Sequence, residues 1–202
     1  MEREILGVDA RLAARLRGLR AERGLTLDAL AERAGVSRSM ISLIERGESS
    51  PTASILHRLA TGLGTSLALL FAEEERPEAS PLARRADQTV WRDPETGYVR
   101  RGLSPPGFPS PIELVEVILP PGARVAYDGV PRSVGISQQI WVLEGKVELA
   151  LGEDTRCLEV GDCLAMRVDR PIVFCNRTDH STRYVLALTT ERARAGDGET
   201  KR

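Results

Sequence analysis

The sequence predicts a two-domain protein, with an all-α domain of five helices followed by an all-β domain. Between residues 8 and 72 the apolar residues recur at helical spacing, and proline is nearly absent. Between residues 87 and 190 the apolar residues alternate with a period of two, and glycine and proline separate the segments. Residues 73–86 show neither period and contain two prolines, which indicates a linker. We therefore expect domains at residues 1–72 and 87–190, with a flexible polar tail at 191–202.

Each predicted helix has an apolar stripe and residues suited to its ends. The first helix has Leu12, Leu16 and Leu19 at spacings of four and three, and Gly24 follows its end. The later helices begin at capping residues or after a proline. The residues that support them are Thr26 and Leu30 for the second, Ser37, Ile41 and Ile44 for the third, Pro51, Thr52, Leu56 and Leu59 for the fourth, and Leu67, Leu70 and Phe71 for the fifth.

The second domain is predicted to consist of short strands separated by tight turns, as in a β-barrel or a β-sandwich. Gly145 and the pair Gly161-Asp162 provide turn residues between apolar segments. The predicted strands are 89–92, 98–103, 112–119, 123–126, 138–143, 146–151, 163–166, 171–176 and 184–189.

Composition excludes several classes of protein. The 202 residues carry a net charge of −1, but residues 1–72 have ten arginines against eight acidic residues, a local surplus suited to a polyanion. Three cysteines and two histidines exclude a zinc finger and argue against a disulfide framework, so we expect buried, unpaired cysteines. No apolar run approaches the roughly 18 residues of a membrane helix. Without a secretory signal at the N-terminus, the expected location is the cytoplasm.

The second and third helices are predicted to form a helix-turn-helix. Gly35 permits the sharp turn, and Val36 is expected to fill the angle between the helices. The third helix then presents its N-terminal turn to solvent. In a major groove, arginine binds guanine, serine binds several base edges and leucine contacts the thymine methyl group. The predicted DNA-binding residues are Ser37, Arg38, Ser39, Ser42, Leu43 and Arg46.

Segments 23–26, 34–37 and 44–47 (Arg-Gly-Leu-Thr, Ala-Gly-Val-Ser and Ile-Glu-Arg-Gly) lie within a longer match to a known family. Over about residues 9–72 the chain resembles the phage-repressor-like helix-turn-helix proteins, the XRE family. The resemblance implies that double-stranded DNA is a partner, that the third helix is the recognition helix and that Arg20 pairs with Glu45 beneath it. Such repressors often have a phosphate-contacting glutamine where this chain has Leu27, so backbone N–H groups or arginines must make that contact.

Two later parts of the chain, 119–149 and 158–176, resemble the two motifs of the cupin family. The resemblance covers about residues 105–189 and implies a double-stranded β-helix, or jelly-roll, barrel. Catalytic cupins hold a metal through histidines and a glutamate or glutamine. This chain has no histidine at 127–132, Gln138 at the glutamate position and Ile172 where the second motif has histidine. We therefore expect no metal, no cofactor and no catalytic residue.

Without a metal, the barrel either binds a small organic effector or is filled by its own side chains, and the sequence leaves both alternatives open. Alternation turns Gln138 and Ile140 to one face and Trp141 to the other, and the match of Gln138 to the cupin ligand position implies that the first two lie inside. Trp141 would then pack against another sheet. Arginine at the rim would suit a carboxylate. His57 is expected at a helix surface or boundary, without a chemical role. The residues predicted for an effector site are Tyr127, Arg132, Gln138, Ile140, Arg167, Ile172 and Phe174.

The two resemblances together are typical of a transcriptional regulator, most simply a repressor that occludes a promoter. Chains with these modules in this order form a family, which implies a homodimer assembled mainly through the barrels. Two recognition helices about 34 Å apart would require a near-palindromic operator. An effector in the barrel would shift the relative placement of the DNA-binding domains. Two alternatives remain open: a metal-dependent cupin enzyme with a DNA-binding appendage, and an adaptor whose helical domain binds a protein.

Overall fold

A computed structural model describes residues 2–71, 77–128 and 134–192 of the chain. The helices are α1 (Glu2–Glu22), α2 (Leu27–Ala34), α3 (Arg38–Glu45), α4 (Ala53–Gly62) and α5 (Leu67–Phe71), followed by a short 3-10 helix at Arg85–Asp87. The strands are β1 (Val90–Arg92), β2 (Val99–Gly102), β3 (Glu113–Leu119), β4 (Arg124–Tyr127), β5 (Val134–Glu144), β6 (Val147–Leu151), β7 (Asp154–Leu158), β8 (Cys163–Arg167), β9 (Ile172–Cys175) and β10 (Thr182–Arg192). The five predicted helices are thus confirmed.

The helical part is built around the predicted apolar stripes. Leu12, Leu16 and Leu19 of α1 are all buried, as are Leu30 of α2 and Leu56 of α4. The predicted caps are also present. The side chains of Thr26, Ser37 and Thr52 accept N–H hydrogen bonds from the first turns of α2, α3 and α4 at 3.1, 3.2 and 3.3 Å. Capping satisfies N–H groups that a helix start would otherwise leave without a partner.

The strands form two antiparallel sheets that enclose the second core. The larger sheet has the order β1-β2-β3-β10-β5-β8 and the smaller one the order β4-β9-β6-β7. Phe174 of the smaller sheet stacks on Tyr184 of the larger one, with ring centroids 5.8 Å apart. The sheet-rich fold expected for the second half of the chain is therefore confirmed, with the chain arranged as two facing sheets.

Three features of this half differ from or refine the prediction. Strand β7 lies where no strand was predicted, because four of its five residues are exposed and give no alternating apolar pattern. Strand β10 continues through Arg192 and so includes the first two residues of the predicted tail, while residues 193–202 lie outside the described part. The predicted turn at Gly145 is present with φ 75°, and an added Cβ there would lie 3.1 Å from the Ser181 carbonyl oxygen, so glycine is required.

The helical and sheet domains pack tightly against each other. Trp91 of β1 is 1% exposed, and its ring centroid lies 5.5 Å from that of Phe71 in α5. Asp93, also buried, accepts the N–H of Ala53, the first residue of α4, at 3.1 Å. The sheet domain thereby supplies a cap to a helix of the other domain. The sequence predicted a linker between the domains but gave no indication of this junction.

His57 refines one expectation from the sequence. It was predicted at a helix surface or boundary, and it is buried, with its ring 5.0 Å from that of Tyr127 in β4. The sheet domain covers the face of α4 that carries His57. We therefore place His57 at the domain junction.

Candidate nucleic-acid interface and inner cavity

The first turn of α3 is held outward by the turn that precedes it. Gly35 ends α2 in the left-handed conformation (φ 61°, ψ 30°), and its N–H donates to the carbonyl oxygen of Ala31. Val36 is buried between the two helices, as predicted. The Ser37 side chain then caps α3 by accepting the N–H of Met40. The chain reverses within these residues, so α3 starts at the protein surface.

The residues predicted to bind DNA form one exposed face of α3. Ser37, Arg38, Ser39 and Arg46 are exposed, and Ser42 and Leu43 are partly exposed. The opposite face is buried through Ile41, Ile44 and Glu45. A side chain must be accessible to contact a base edge, so this face meets the geometric requirement for binding in a major groove.

Two arginines of this face carry carboxylate partners in the free protein. Arg38 lies 3.2 Å from Asp28 of α2, and both side chains are mostly exposed. Arg46 binds both oxygens of Glu48, at 2.7 and 2.8 Å, and also contacts the Ser42 hydroxyl. The hydrogen bond to Arg46 is the main cause of the lowered pKa of Glu48. DNA binding must exchange these partners for phosphate or base atoms.

Beneath the exposed face, Arg20 of α1 forms a bidentate ion pair with Glu45 at 2.7 and 2.8 Å. Arg20 also donates to the carbonyl oxygen of Leu25, and Arg17 donates to the backbone carbonyl oxygen of Glu45. The hydrogen bond to Glu45 is the main cause of the raised pKa of Arg20. The pair that the family resemblance implied is therefore present, and it fixes the C-terminal end of α3 to α1.

A second candidate binding site is a cavity of about 70 Å³, which we call the inner cavity. Its apolar wall consists of Val125, Ile136, Val168, Ile172, Phe174, Leu186 and Leu188. Its polar lining comprises Tyr98, Arg100, Tyr127, Gln138 and Tyr184 from the sheet domain. His57, Ser66 and Leu67 of the helical domain complete it. The cavity therefore lies at the junction between the two domains.

Comparison with known proteins assigns the helical part first. Residues 11–71 match the model of the family described as helix-turn-helix domain. The immunity repressor protein of Bacillus phage phi105 is 32% identical over 115 residues, which cover 52% of this chain and 77% of the repressor. The chain belongs to the helix-turn-helix transcriptional regulators.

Other relatives extend the similarity over most of the regulator. The HTH-type transcriptional regulator SutR of Escherichia coli (strain K12) is 26% identical over 173 residues, covering 86% of this chain and 91% of SutR. The crystal structure of an HTH_3 family transcriptional regulator from Vibrio cholerae is 27% identical, with a TM-score of 0.69. That similarity covers 93% of this chain and 99% of the Vibrio protein. The regulator is thus a DNA-binding transcriptional regulator with a helix-turn-helix domain followed by a domain of two facing sheets.

The predicted effector residues are only partly brought together in the regulator. Tyr127, Gln138, Ile172 and Phe174 line the inner cavity. Ile140 is fully buried on the inner face of β5 but is not one of the cavity-lining residues. Arg167 is not one of the cavity-lining residues, because alternation along β8 turns its side chain to solvent, and Val168 lines the cavity instead. Arg132 lies outside the described residues.

The sequence prediction missed the polar groups that the helical domain and β2 contribute. Arg100 is 5% exposed and bonds Glu113 at 3.0 Å, and its guanidinium lies 5.2 Å from the centre of the Phe71 ring. Burial is the main cause of the strongly raised pKa values of Tyr127 and Tyr184. Both phenols therefore stay protonated at neutral pH and act as hydrogen-bond donors.

The cysteines and the described metal-ligating residues complete the description. Cys157 and Cys163 are exposed and Cys175 is partly exposed, so the expectation that the cysteines are buried is wrong for Cys157 and Cys163. They lie on outward-facing positions of edge strands, where small size alone does not lead to burial.

Within the described residues, no group of three or more His, Cys, Asp or Glu side chains is arranged to hold a metal ion. In the same part of the chain, no helix is long and apolar enough to cross a membrane.

Proposed function

We propose that the regulator is a homodimeric repressor that binds a near-palindromic operator through α3. The observation that carries this proposal is the exposed first turn of α3, with Arg38 and Ser39 on a helix fixed to α1 by the Arg20–Glu45 pair. Fixed placement of base-contacting side chains limits the entropy lost on binding. The similarity to a phage immunity repressor supports repression as the mode of control.

The operator contacts are expected to fall into two kinds. Arg38, in the first turn of α3, is placed to contact a base edge in the major groove. Arg46, at the end of α3, is placed to contact phosphate. Footprinting of the purified regulator on genomic DNA tests the proposal, because it should reveal protected sites made of two inverted half-sites.

Arg38→Ala is expected to weaken operator binding by about 1–3 kcal/mol and to relax the base preference at one position of each half-site. Arg46→Ala is expected to weaken operator and unrelated DNA alike, because phosphate contacts carry no sequence information. Glu48→Gln removes the carboxylate that binds Arg46, so we expect it to raise affinity for all sequences. Fluorescence anisotropy with operator and scrambled duplexes measures each effect.

The salt dependence of the same titrations provides an independent check. Phosphate contacts release counterions, so affinity should fall steeply between 50 and 200 mM salt, and the slope should be smaller for Arg46→Ala. An affinity that does not change with salt, or an Arg38→Ala protein with unchanged sequence preference, would argue against α3 as the DNA-binding element. An adaptor that uses this domain to bind a protein would give that result.

The surface proposed for dimerisation is the outer face of the larger sheet. Trp141 is 52% exposed there, and the register places Val185 and Cys163 on either side of it. A neighbouring row aligns Leu114, Ala187, Gln139 and Ala165 across the same face, so one exposed amide lies among the apolar side chains. We call this the outer apolar face. A largely apolar patch around an exposed tryptophan is typical of an interface with a second copy.

Trp141→Glu is expected to convert the dimer to a monomer, because a charge at the centre of an apolar interface loses its hydration without gaining a partner. Leu82→Glu is the matched control, since Leu82 is similarly exposed but lies in the segment between the domains. Analytical ultracentrifugation measures the mass, and anisotropy should show weaker operator binding for Trp141→Glu alone. A wild-type regulator that is monomeric at operator-binding concentrations contradicts this proposal.

We further propose that the sheet domain is a cupin-like jelly-roll barrel that performs no reaction and holds an organic effector. Ile172, in the place of a metal-binding histidine, lines the inner cavity, and an aliphatic side chain offers no lone pair to a metal. Asp128, the carboxylate that directly follows β4, is exposed. Metal analysis of the purified regulator tests this, and stoichiometric iron, manganese or nickel would favour the alternative of a metal-dependent enzyme with a DNA-binding appendage.

A further inference from the structure

The inner cavity differs from an ordinary pocket in a β-domain because both domains line it. His57 of α4, Ser66 just before α5 and Leu67 of α5 line it opposite β2 and β4. All of these helical residues belong to the domain that carries α3. A molecule in the cavity would therefore touch the DNA-binding domain directly, without a relay through other residues.

The charge of the cavity indicates the kind of molecule that it binds. Among its described lining residues, Arg100 is the one with a permanent charge, and none is acidic. The partner of Arg100, Glu113, faces an outer groove on the other side of the guanidinium. An arginine has five N–H donors, and the hydrogen bonds of Arg100 with Glu113 and with the Tyr98 side chain leave further donors for an anion.

The neighbouring groups also favour an anion. The phenols of Tyr127 and Tyr184 are protonated donors, and Ser66 and Gln138 add a hydroxyl and an amide. The rest of the wall is apolar. Arginine flanked by neutral donors is the arrangement that binds a carboxylate, and the apolar wall suits a short carbon chain attached to it.

The size of the cavity limits the ligand. A volume of about 70 Å³ is well below the roughly 300 Å³ at which pockets for drug-sized ligands begin. A molecule of the size of acetate or pyruvate therefore suits the cavity better than a larger aromatic acid. The cavity therefore selects compact molecules.

We propose that the inner cavity binds a compact monocarboxylate, with the carboxylate at Arg100 and the carbon chain against Ile172 and Phe174. Binding bridges the two domains and so changes operator affinity. The inference rests on the proposed effector role of the sheet domain, and it adds the chemical class of the ligand, its location at the domain junction and Arg100 as the residue that recognises it.

The two tryptophans of the chain provide a direct assay. Trp91 contacts Phe71, on which Arg100 lies, whereas Trp141 is on the outer apolar face. Titration of the ¹⁵N-labelled full chain with acetate or pyruvate should shift the indole N–H resonance of Trp91 and leave that of Trp141 in place. Acetamide, pyruvamide and equal concentrations of sodium chloride should leave both in place. Benzoate, which is larger, should bind more weakly than pyruvate.

Three variants and one control test the role of Arg100. Arg100→Gln should lower carboxylate affinity at least tenfold, because it removes a charge-assisted hydrogen bond. Glu113→Gln should raise carboxylate affinity, because it removes the carboxylate that competes with the ligand for Arg100. The double variant Arg100→Gln/Glu113→Gln serves if Arg100→Gln alone fails to fold. Arg101→Gln is the control, since Arg101 pairs with Glu116 and is not a cavity-lining residue. Its carboxylate affinity should equal that of the wild type.

Operator affinity measured with and without pyruvate tests the coupling. A change in either direction that is absent in the Arg100→Gln/Glu113→Gln protein supports the proposal. The proposal is overturned if Trp91 does not respond at saturating carboxylate, if acetamide acts as well as acetate, or if operator affinity stays constant. If the wild type binds its operator but does not respond to a carboxylate, this inference is overturned and the proposed DNA-binding function stands. If the wild type does not bind an operator at all, the proposed function itself is overturned.

Discussion

Glu45→Ala is expected to lower the free energy of unfolding of the helical domain by about 3 kcal/mol and to abolish operator binding. The substitution leaves the largely buried guanidinium of Arg20 without its bidentate partner, and removing one member of a buried ion pair is strongly destabilising. It also frees the C-terminal end of α3 from α1, so the exposed face of α3 loses its fixed orientation. Urea denaturation followed by circular dichroism, together with operator titration, measures both effects.

The matched control is Glu48→Ala, which removes a carboxylate with the same geometry from an exposed ion pair with Arg46. Exposed pairs contribute little to stability, so its unfolding curve should overlay that of the wild type. Arg20→Met with Glu45→Leu replaces the pair with apolar side chains and should recover much of the lost stability. If Glu45→Ala is as stable as Glu48→Ala, the pair is not what holds α3 in place.

Trp91→Ala is expected to cost about 3–5 kcal/mol of unfolding free energy, the range for deleting a large buried aromatic side chain. Trp91 packs against Phe71 of the helical domain and against Tyr98, which directly precedes β2, at centroid distances of 5.5 and 6.1 Å. The loss should therefore separate the domains, with two unfolding transitions in calorimetry and faster proteolysis between residues 72 and 89. Operator binding by the helical domain should persist.

Trp141→Ala is the matched control, because the same side chain is removed from an exposed position. Its effect should appear only as a concentration-dependent change in dimerisation, whereas the effect of Trp91→Ala should be independent of protein concentration. A single cooperative transition for Trp91→Ala with an unchanged midpoint would show that the two domains are held together by other contacts.

The features that the sequence predicted well are those determined by neighbouring residues. The turn at Gly35, the cap at Ser37 and the stripe of Leu12, Leu16 and Leu19 depend on spacings of a few residues. The Arg20–Glu45 pair is far apart in sequence and was available only through the family resemblance. The exposed face of α3 follows from these features, so the candidate DNA interface could be largely described before the structure was known.

The domain junction could not be predicted, because its residues show no local pattern. His57 is a single polar residue on a helix, and nothing near it in sequence indicates that Tyr127 covers it. Arg100 and Arg101 are adjacent in β2, and alternation shows that one faces inward without showing which one. The sequence analysis therefore placed the cavity arginine at Arg132 and Arg167 and missed Arg100.

Asp93 has a consequence for moving these modules between proteins. Its carboxylate accepts the N–H at the start of α4, and the same side chain also accepts the N–H of Thr96 in its own turn. A chimaera that joins residues 2–71 to a foreign sensor would leave the Ala53 N–H without this acceptor, a loss of about 0.5–2 kcal/mol by the usual cost of a missing cap. A helical domain moved to another protein therefore needs either a carboxylate at the corresponding place in the new partner domain or a redesigned start to α4.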